Sequence, residues 1–149
     1  SDSEVPEMNM KPTVHGCLLA IVLAAPGTPA WSDPATGAWE KIVFHVDESV
    51  NARWAIMLAD SYMDDSPKAK IVFVTYGPGI DFLLEDAEDR RGNPYNLAER
   101  GVEFRLCADT LGARSIARED VLDTVAIVPS GISEIARLQL KESYAYLKP

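Results

Sequence analysis

Cysteine is scarce in this sequence, since only Cys17 and Cys107 occur among its 149 residues. Two cysteines cannot form a framework of several disulfides or a zinc site built mainly from thiolates. We predict no metal site from these residues. Any chemistry that needs a thiol therefore depends on Cys17 or on Cys107.

Basic residues are also few, because 14 lysines and arginines stand against 23 acidic residues. The formal net charge of -9 and the pI of about 4.6 repel a polyphosphate backbone unless a local basic patch intervenes. The sequence contains no such patch. We therefore predict that the protein does not bind nucleic acid.

Long apolar runs are absent, and the run at residues 17–25 is too short to span a bilayer. Residues 8–30 nevertheless have the basic, apolar and small-residue regions of a secretory signal, although residues 1–7 are acidic. Two interpretations of residues 1–39 stay open, namely an export signal with a linker, or an arm that packs on the domain or on a neighbouring subunit. We predict a periplasmic or exported protein if the signal functions and a cytoplasmic protein otherwise, without stable membrane insertion.

From residue 40 to residue 149 the sequence alternates between apolar, β-rich runs and helical patterns. Strands are predicted at 42–46, 70–76, 102–107, 124–128 and 144–147, with helical segments between them. Such alternation favours parallel pairing through right-handed crossovers. The prediction is a single α/β domain, a three-layer α/β/α sandwich with a mostly parallel sheet of about five strands.

Two details of this pattern make specific structural predictions. Asp47 or Ser49 can cap the first helix, and the apolar residues with helical spacing along it predict its buried face: Val50, Trp54, Met57, Leu58 and Tyr62. In the third strand, Glu103 and Arg105 give one polar face. That face suggests an edge strand or a subunit contact with paired charges.

The carboxyl ends of parallel strands meet at one edge of a sheet, where α/β proteins place their ligands. Cys107 ends the third strand and precedes a helical pattern, a position that favours the thiolate form of a cysteine. We predict Cys107 and His45 as catalytic residues. The predicted substrate-binding residues follow the same strand ends: Gly77, Gly79, Arg105, Asp109, Thr110, Arg114, Ser130 and Gly131.

Each of these residues also has a structural interpretation. A free cysteine is often a buried apolar residue, and His45 within an apolar strand is typical of a hydrogen-bonded structural histidine. The segment 77–79 lacks the Walker lysine and the GxGxxG spacing, so a tight turn is favoured and no cofactor is predicted. Asp109 can be a helix cap, and Ser130 lies in no GxSxG motif.

Four segments in order give the sequence a family resemblance: 42–46, 76–84, 101–111 and 128–149. Together they resemble the DsrE/DsrF-like (DsrEFH, YchN-like) proteins over about residues 40–149. The resemblance implies a small α/β/α domain of flavodoxin-like topology, and a homo-oligomer such as a trimer or hexamer. In the sulfur-relay members, the cysteine after the third strand holds sulfur as a persulfide between partner proteins, and Cys107 stands at that position.

The sequence differs from the relay members in two respects. They are cytoplasmic whereas this chain has an export-like leader, and residues 107–110 differ from their Cys-x-Ala-small run. Our hypothesis is a sulfur carrier or transferase that acts through Cys107 with a sulfur donor or acceptor protein. The alternatives are an oligomeric module that binds a small molecule or anion without catalysis, and a structural subunit that docks a partner.

Overall fold

The computed structural model describes residues 40–87 and 93–149, so the predicted signal or arm at residues 1–39 lies outside the described part of the chain. The strands are β1 Lys41–Val46, β2 Lys70–Thr75, β3 Glu103–Cys107, β4 Val125–Val128 and β5 Ala145–Leu147. The helices are α1 Ser49–Asp65, α2 Pro94–Glu99, α3 Ala108–Arg114 and α4 Gly131–Glu142. Two 3₁₀ segments, Gly77–Leu83 and Arg118–Asp120, connect them.

The five strands form one parallel sheet in the order β4-β3-β2-β1-β5. Helices α1 and α4 contact opposite faces of this sheet, which confirms the predicted α/β sandwich. The strand order differs from the flavodoxin order 2-1-3-4-5, so that detail of the expected topology is wrong. Here the chain adds β2, β3 and β4 successively on one side of β1, and returns to its other side only with β5.

The face of the sheet toward α1 forms the larger apolar core. Phe44, Phe73 and Phe104 lie side by side on neighbouring strands, with ring centroids 5.1 Å and 4.9 Å apart. All three are almost fully buried. Such aromatic contacts contribute beyond the area that they bury, so this row ties the three central strands together.

Helix α1 packs on this core through the side opposite to the predicted one. Its buried residues are Ala52, Ala55, Ile56, Ala59 and Met63. Four of the five residues predicted to be buried are exposed: Val50, Trp54, Met57 and Leu58, with Trp54 57% exposed. Alanine lets the helix axis approach the sheet closely, whereas tryptophan at the contact would hold it away. The predicted cap is also wrong, because Glu48 occupies the N-cap and no side chain caps the helix.

The face of the sheet toward α4 has a smaller apolar core and more polar side chains. Its buried apolar residues are Val43, Val72, Val74, Ile135, Leu138 and Tyr144. Glu103 and Arg105 lie on β3, which is paired on both sides, so the predicted edge strand is wrong. The charges are paired within the domain, since Arg105 donates to both Glu103 and Glu134.

Within residues 40–87 and 93–149, no helix combines the length and apolar character that a membrane crossing requires.

Candidate functional site

Cys107 is the last residue of β3 and the N-cap of α3. Its residue exposure is 6%, and its Cβ lies 3.4 Å from the position that a Cβ on Gly131 would take. The thiol thus lies on the α4 side of the sheet, under the first residue of that helix. It is the one cysteine in the described part of the chain, and it forms no disulfide there.

Tyr76 lies between Cys107 and the polar side chains at the ends of β1 and β5. It directly follows β2, whose last pair with β3 is Thr75 with Leu106, so Tyr76 lies level with Cys107. A Cβ on Gly131 would come within 2.8 Å of the Tyr76 ring, which shows how closely that ring packs on the start of α4. Tyr76 was not among the predicted site residues, although its place at a strand end before a glycine was visible in the sequence.

His45 belongs to a hydrogen-bonded group at the ends of β1 and β5. Its Nδ1 shares a 2.6 Å hydrogen bond with the Tyr146 hydroxyl, and its Nε2 lies 3.8 Å from Asp47 Oδ2. Lys148 donates to that same carboxylate oxygen at 2.6 Å. Tyr146 and Lys148 were not among the predicted site residues, because only the pairing of β5 with β1 brings them to His45.

Two buried polar atoms of this group lack a hydrogen-bond partner among the described residues: His45 Nε2 and Asp47 Oδ1. Because Nε2 faces a carboxylate, the tautomer with its proton on Nε2 is favoured, and the Tyr146 hydroxyl then donates to Nδ1. The separation of 3.8 Å is too long for a hydrogen bond between Nε2 and Asp47. Their attraction is therefore electrostatic.

The environment shifts the pKa of His45 and Asp47 in this group and of the adjacent Tyr76. Burial holds the pKa of His45 below its ordinary value, although the Asp47 carboxylate opposes that shift. The hydrogen bond from Lys148 lowers the pKa of Asp47. Burial, assisted by the charge of Asp47, raises the pKa of Tyr76. At neutral pH His45 is therefore a neutral imidazole, Asp47 a carboxylate and Tyr76 a protonated phenol.

His45 and Cys107 are too far apart for direct proton transfer. His45 is paired with Val74 and Val74 with Arg105, so β2 separates the two residues and they lie at different levels of the sheet. Two strand spacings alone amount to about 10 Å. The Tyr76 ring fills part of this gap, since its centroid is 4.6 Å from that of His45.

Several predicted binding residues line a separate cleft of about 600 Å³ next to α3: Gly77, Asp109, Thr110 and Arg114, together with Pro78, Asp81 and Ala113. Thr110 Oγ1 accepts a 3.0 Å hydrogen bond from the amide of Gly77. Arg114 donates to Asp81 at 2.6 Å, and Ser49 donates to the other oxygen of that carboxylate. The cleft thus offers an ion pair beside backbone groups.

The remaining predicted residues have positions with clear structural roles. Gly79 packs against the end of β1, where a Cβ would lie 2.2 Å from the carbonyl oxygen of Val46. Arg105, whose side chain is 17% exposed, is paired with Glu103 and Glu134, so its positive charge is already neutralised. Ser130 is the N-cap of α4, although its side chain makes no capping hydrogen bond. Gly131 follows it and packs against Tyr76.

Among the described residues, no three or more metal-binding side chains of the His, Cys, Asp and Glu type converge.

The sequence from residue 41 to residue 149 matches the model of the DsrE/DsrF-like family. The chain belongs to this family. A solved structure of MTH1491 from Methanobacterium thermoautotrophicum, described as a protein of unknown function, is 34% identical with a TM-score of 0.67. That match covers 72% of this chain and 97% of MTH1491. Family membership and the α/β fold predicted from the four sequence segments are confirmed.

The ychN protein from E. coli is similar in fold, with a TM-score of 0.63 and 18% identity over 74% of this chain and 99% of that protein. No curated protein matches the sequence. The comparisons thus establish the family and the fold of the DsrE/DsrF-like domain.

Proposed function

We propose that this DsrE/DsrF-like protein is a sulfur carrier in sulfur-compound metabolism that holds sulfane sulfur on Cys107. The observation that supports this most directly is the place of the thiol. It lies at the carboxyl edge of a parallel sheet, where β3 turns straight into α3, beside Tyr76 and Gly131. Cys107 is the N-cap residue of α3, although its side chain accepts no hydrogen bond from the first turn of that helix.

The proposed step is a transfer between two sulfur atoms without a net oxidation. The Cys107 thiolate attacks the outer sulfur of a donor persulfide, R–S–SH, and forms a new S–S bond. The S–S bond of the donor breaks, and its inner sulfur leaves as the thiolate R–S⁻ with the electron pair. Cys107 then holds –S–SH, and a second thiolate takes the outer sulfur by the same exchange.

The low exposure of Cys107 determines how such a site works. A buried persulfide is protected from other thiols, and loading requires the Tyr76 ring or the first turn of α4 to move. Tyr76 lies level with Cys107 on the neighbouring strand, and its ring packs against Gly131 beside the thiol. His45 is proposed as a positioning residue, since it contacts Tyr76 and Tyr146 rather than the sulfur.

Intact mass measurement after incubation with a small-molecule persulfide tests the proposal. The wild-type protein is expected to gain the mass of one sulfur atom, and reduction should remove it. Cys107→Ser should gain none. Cys17→Ser is the matched control, because it removes the other thiol of the chain and should load like the wild type.

An unchanged mass of the wild type, or equal loading of Cys107→Ser, would contradict the carrier proposal. The second candidate function would then be favoured, namely a module that binds a small anion or metabolite without catalysis. The cleft beside Arg114 and Asp81 supports that candidate, as does the burial of Cys107.

We also expect the domain to form a homo-oligomer through the apolar stripe of α1. Val50, Trp54 and Leu58 are exposed along one side of this helix, which is more large apolar surface than the rest of α1 presents. Trp54→Glu should lower the mass measured by light scattering. Leu140→Glu is the control, since Leu140 is 81% exposed on α4 and its change should leave the mass unaltered.

The location proposed for the carrier follows from residues 1–39 alone. A functional leader would place it outside the cytoplasm, where its sulfur donor and acceptor would also be found. Comparing the N-terminal residue of the protein purified from its native cells with the full sequence tests this, because removal of the leader leaves a shorter chain.

A further inference from the structure

A second cavity lies on the other face of the sheet from Cys107, between α1 and α2. Its volume is about 310 Å³, and its apolar floor consists of Ile56, Met57 and Leu97. Ile56 and Leu97 are buried in the main core, whereas Met57 is about half exposed. The floor is thus buried on the side of the core and open to solvent at Met57.

The rim of this groove carries polar groups that can donate hydrogen bonds. Arg53 makes no ion pair or hydrogen bond with any described residue. Asn93 uses its side-chain oxygen to accept from the amide of Tyr95, which leaves its NH₂ group available as a donor. Asn96 adds a second amide side chain to the rim. The available donors therefore include one full positive charge.

The acidic residue on the rim is already compensated. Asp60 lines the same groove, but Arg100 donates to Asp60 and also to Asp64. Arg53 is therefore the charge on this rim that lacks a counter-ion within the described residues.

We propose that this groove binds a small carboxylic acid with an apolar tail. The carboxylate pairs with Arg53 and accepts from the amide groups of Asn93 and Asn96, and the tail lies on Ile56, Met57 and Leu97. A cavity of 310 Å³ is at the small end of the range for ligand sites, which run from about 300 to 1,000 Å³. The ligand is accordingly a short acid.

This site is independent of the sulfur carrier proposal, because its lining residues belong to α1, α2 and the residue before α2, on the face of the sheet opposite to Cys107. Its occupation would place an anion beside α1, the helix whose exposed stripe is proposed to join subunits. Loss of sulfur loading and loss of acid binding are thus separate results.

Titration calorimetry with hexanoate, together with hexanamide as a neutral analogue, tests the proposal. Hexanoate should bind the wild-type protein at one site per chain, and hexanamide should bind several-fold more weakly. Arg53→Gln should weaken hexanoate binding by about tenfold, since a hydrogen-bonded charge pair contributes on that order. Arg53→Lys should retain part of the affinity.

Lys141→Gln is the matched control, because it removes one exposed positive charge from α4, outside the groove. Its hexanoate affinity should equal that of the wild type. Absence of hexanoate binding would overturn the proposal. Equal binding of hexanoate and hexanamide, or the same affinity in Arg53→Gln and Lys141→Gln, would overturn it as well.

Discussion

The two faces of the same sheet differ in what their side chains do. Toward α1, strands β1, β2 and β3 present Phe44, Phe73 and Phe104 in one closely packed row. Toward α4, the same strands present His45, Arg105 and Cys107 beside a smaller apolar cluster. Because side chains alternate along a strand, a single residue step separates the stabilising face from the face with reactive groups.

This difference shows how a small domain can hold titratable groups in a buried place. The apolar core toward α1 supplies most of the buried area and hence most of the hydrophobic stabilisation. The α4 face can then include Arg105 and His45, provided that each has partners. Arg105 has Glu103 and Glu134, and His45 has Tyr146 and the charge of Asp47.

The largest effect on stability is expected from removing the central ring of the aromatic row. Phe73→Ala removes the central ring, which is fully buried, and should lower the free energy of unfolding by about 3–5 kcal/mol. Val74→Ala, one residue on and equally buried toward α4, should cost about 2 kcal/mol. Urea denaturation of both variants measures the difference, and a larger loss for Val74→Ala would reverse the assignment of the two faces.

A smaller effect on stability is expected from a substitution at Gly131, the first residue of α4, which lies over the thiol of Cys107. In Gly131→Ala the new Cβ would lie 2.8 Å from the Tyr76 ring, so the ring has to move at a cost of about 1–3 kcal/mol. Because that ring packs beside Cys107, the thiol should react faster with an alkylating reagent. Rates of alkylation in the folded protein, compared with the unfolded protein, measure this.

Gly112→Ala is the control for that substitution, because nothing lies within 4 Å of the position of its new Cβ and the residue is inside α3. It should leave the alkylation rate unchanged and stabilise the helix by up to about 1 kcal/mol. If both variants react at the wild-type rate, Tyr76 does not control access to Cys107.

The smallest effect concerns the pH dependence of stability. The pKa of His45 is lowered from the ordinary value of 6.5, so below pH 6.5 the unfolded state binds more protons than the folded state. The free energy of unfolding should fall as the pH decreases from 6.5 toward the folded pKa, and this loss should stop below it. Asp47, whose pKa is also lowered, adds a loss only at more acid pH.

His45→Gln should remove that slope between neutral pH and mildly acid pH while it retains a polar side chain near Tyr146. Thermal unfolding of both proteins between pH 8 and about pH 5 measures the difference. A steeper slope in the variant would mean that the folded state favours the protonated imidazole, which contradicts the lowered pKa.

The alternation of runs along the chain was enough to predict the elements that build the sheet. Each of the five observed strands overlaps a predicted one, and β3 ends at Cys107 as expected. Local composition decides these elements, because β-branched and aromatic residues fill strands, while glycine and proline interrupt them. Strand order could not be predicted from local composition, because it depends on contacts between segments that are distant in sequence.

The face of α1 shows why pattern alone is insufficient. Trp54 and Leu58 are the more hydrophobic residues, yet Ala55 and Ala59 are the buried ones. Periodicity identifies residues that share a side of a helix, but two sides of α1 have apolar spacing. The choice between them depends on how closely the helix must approach the sheet, which small residues allow.

The sequence by itself determined that Cys107 stands at the end of a strand before a helix, and that His45 precedes the end of another strand. Only the tertiary structure decided that β2 separates these two residues, that Tyr76 lies between them, and that Arg105 is neutralised by Glu103 and Glu134. It also placed Gly77, Asp109, Thr110 and Arg114 in a cleft of their own. The physical reason is that a residue's position along a strand follows from local propensity, whereas its neighbours across the sheet follow from strand order and from the packing of helices on each face.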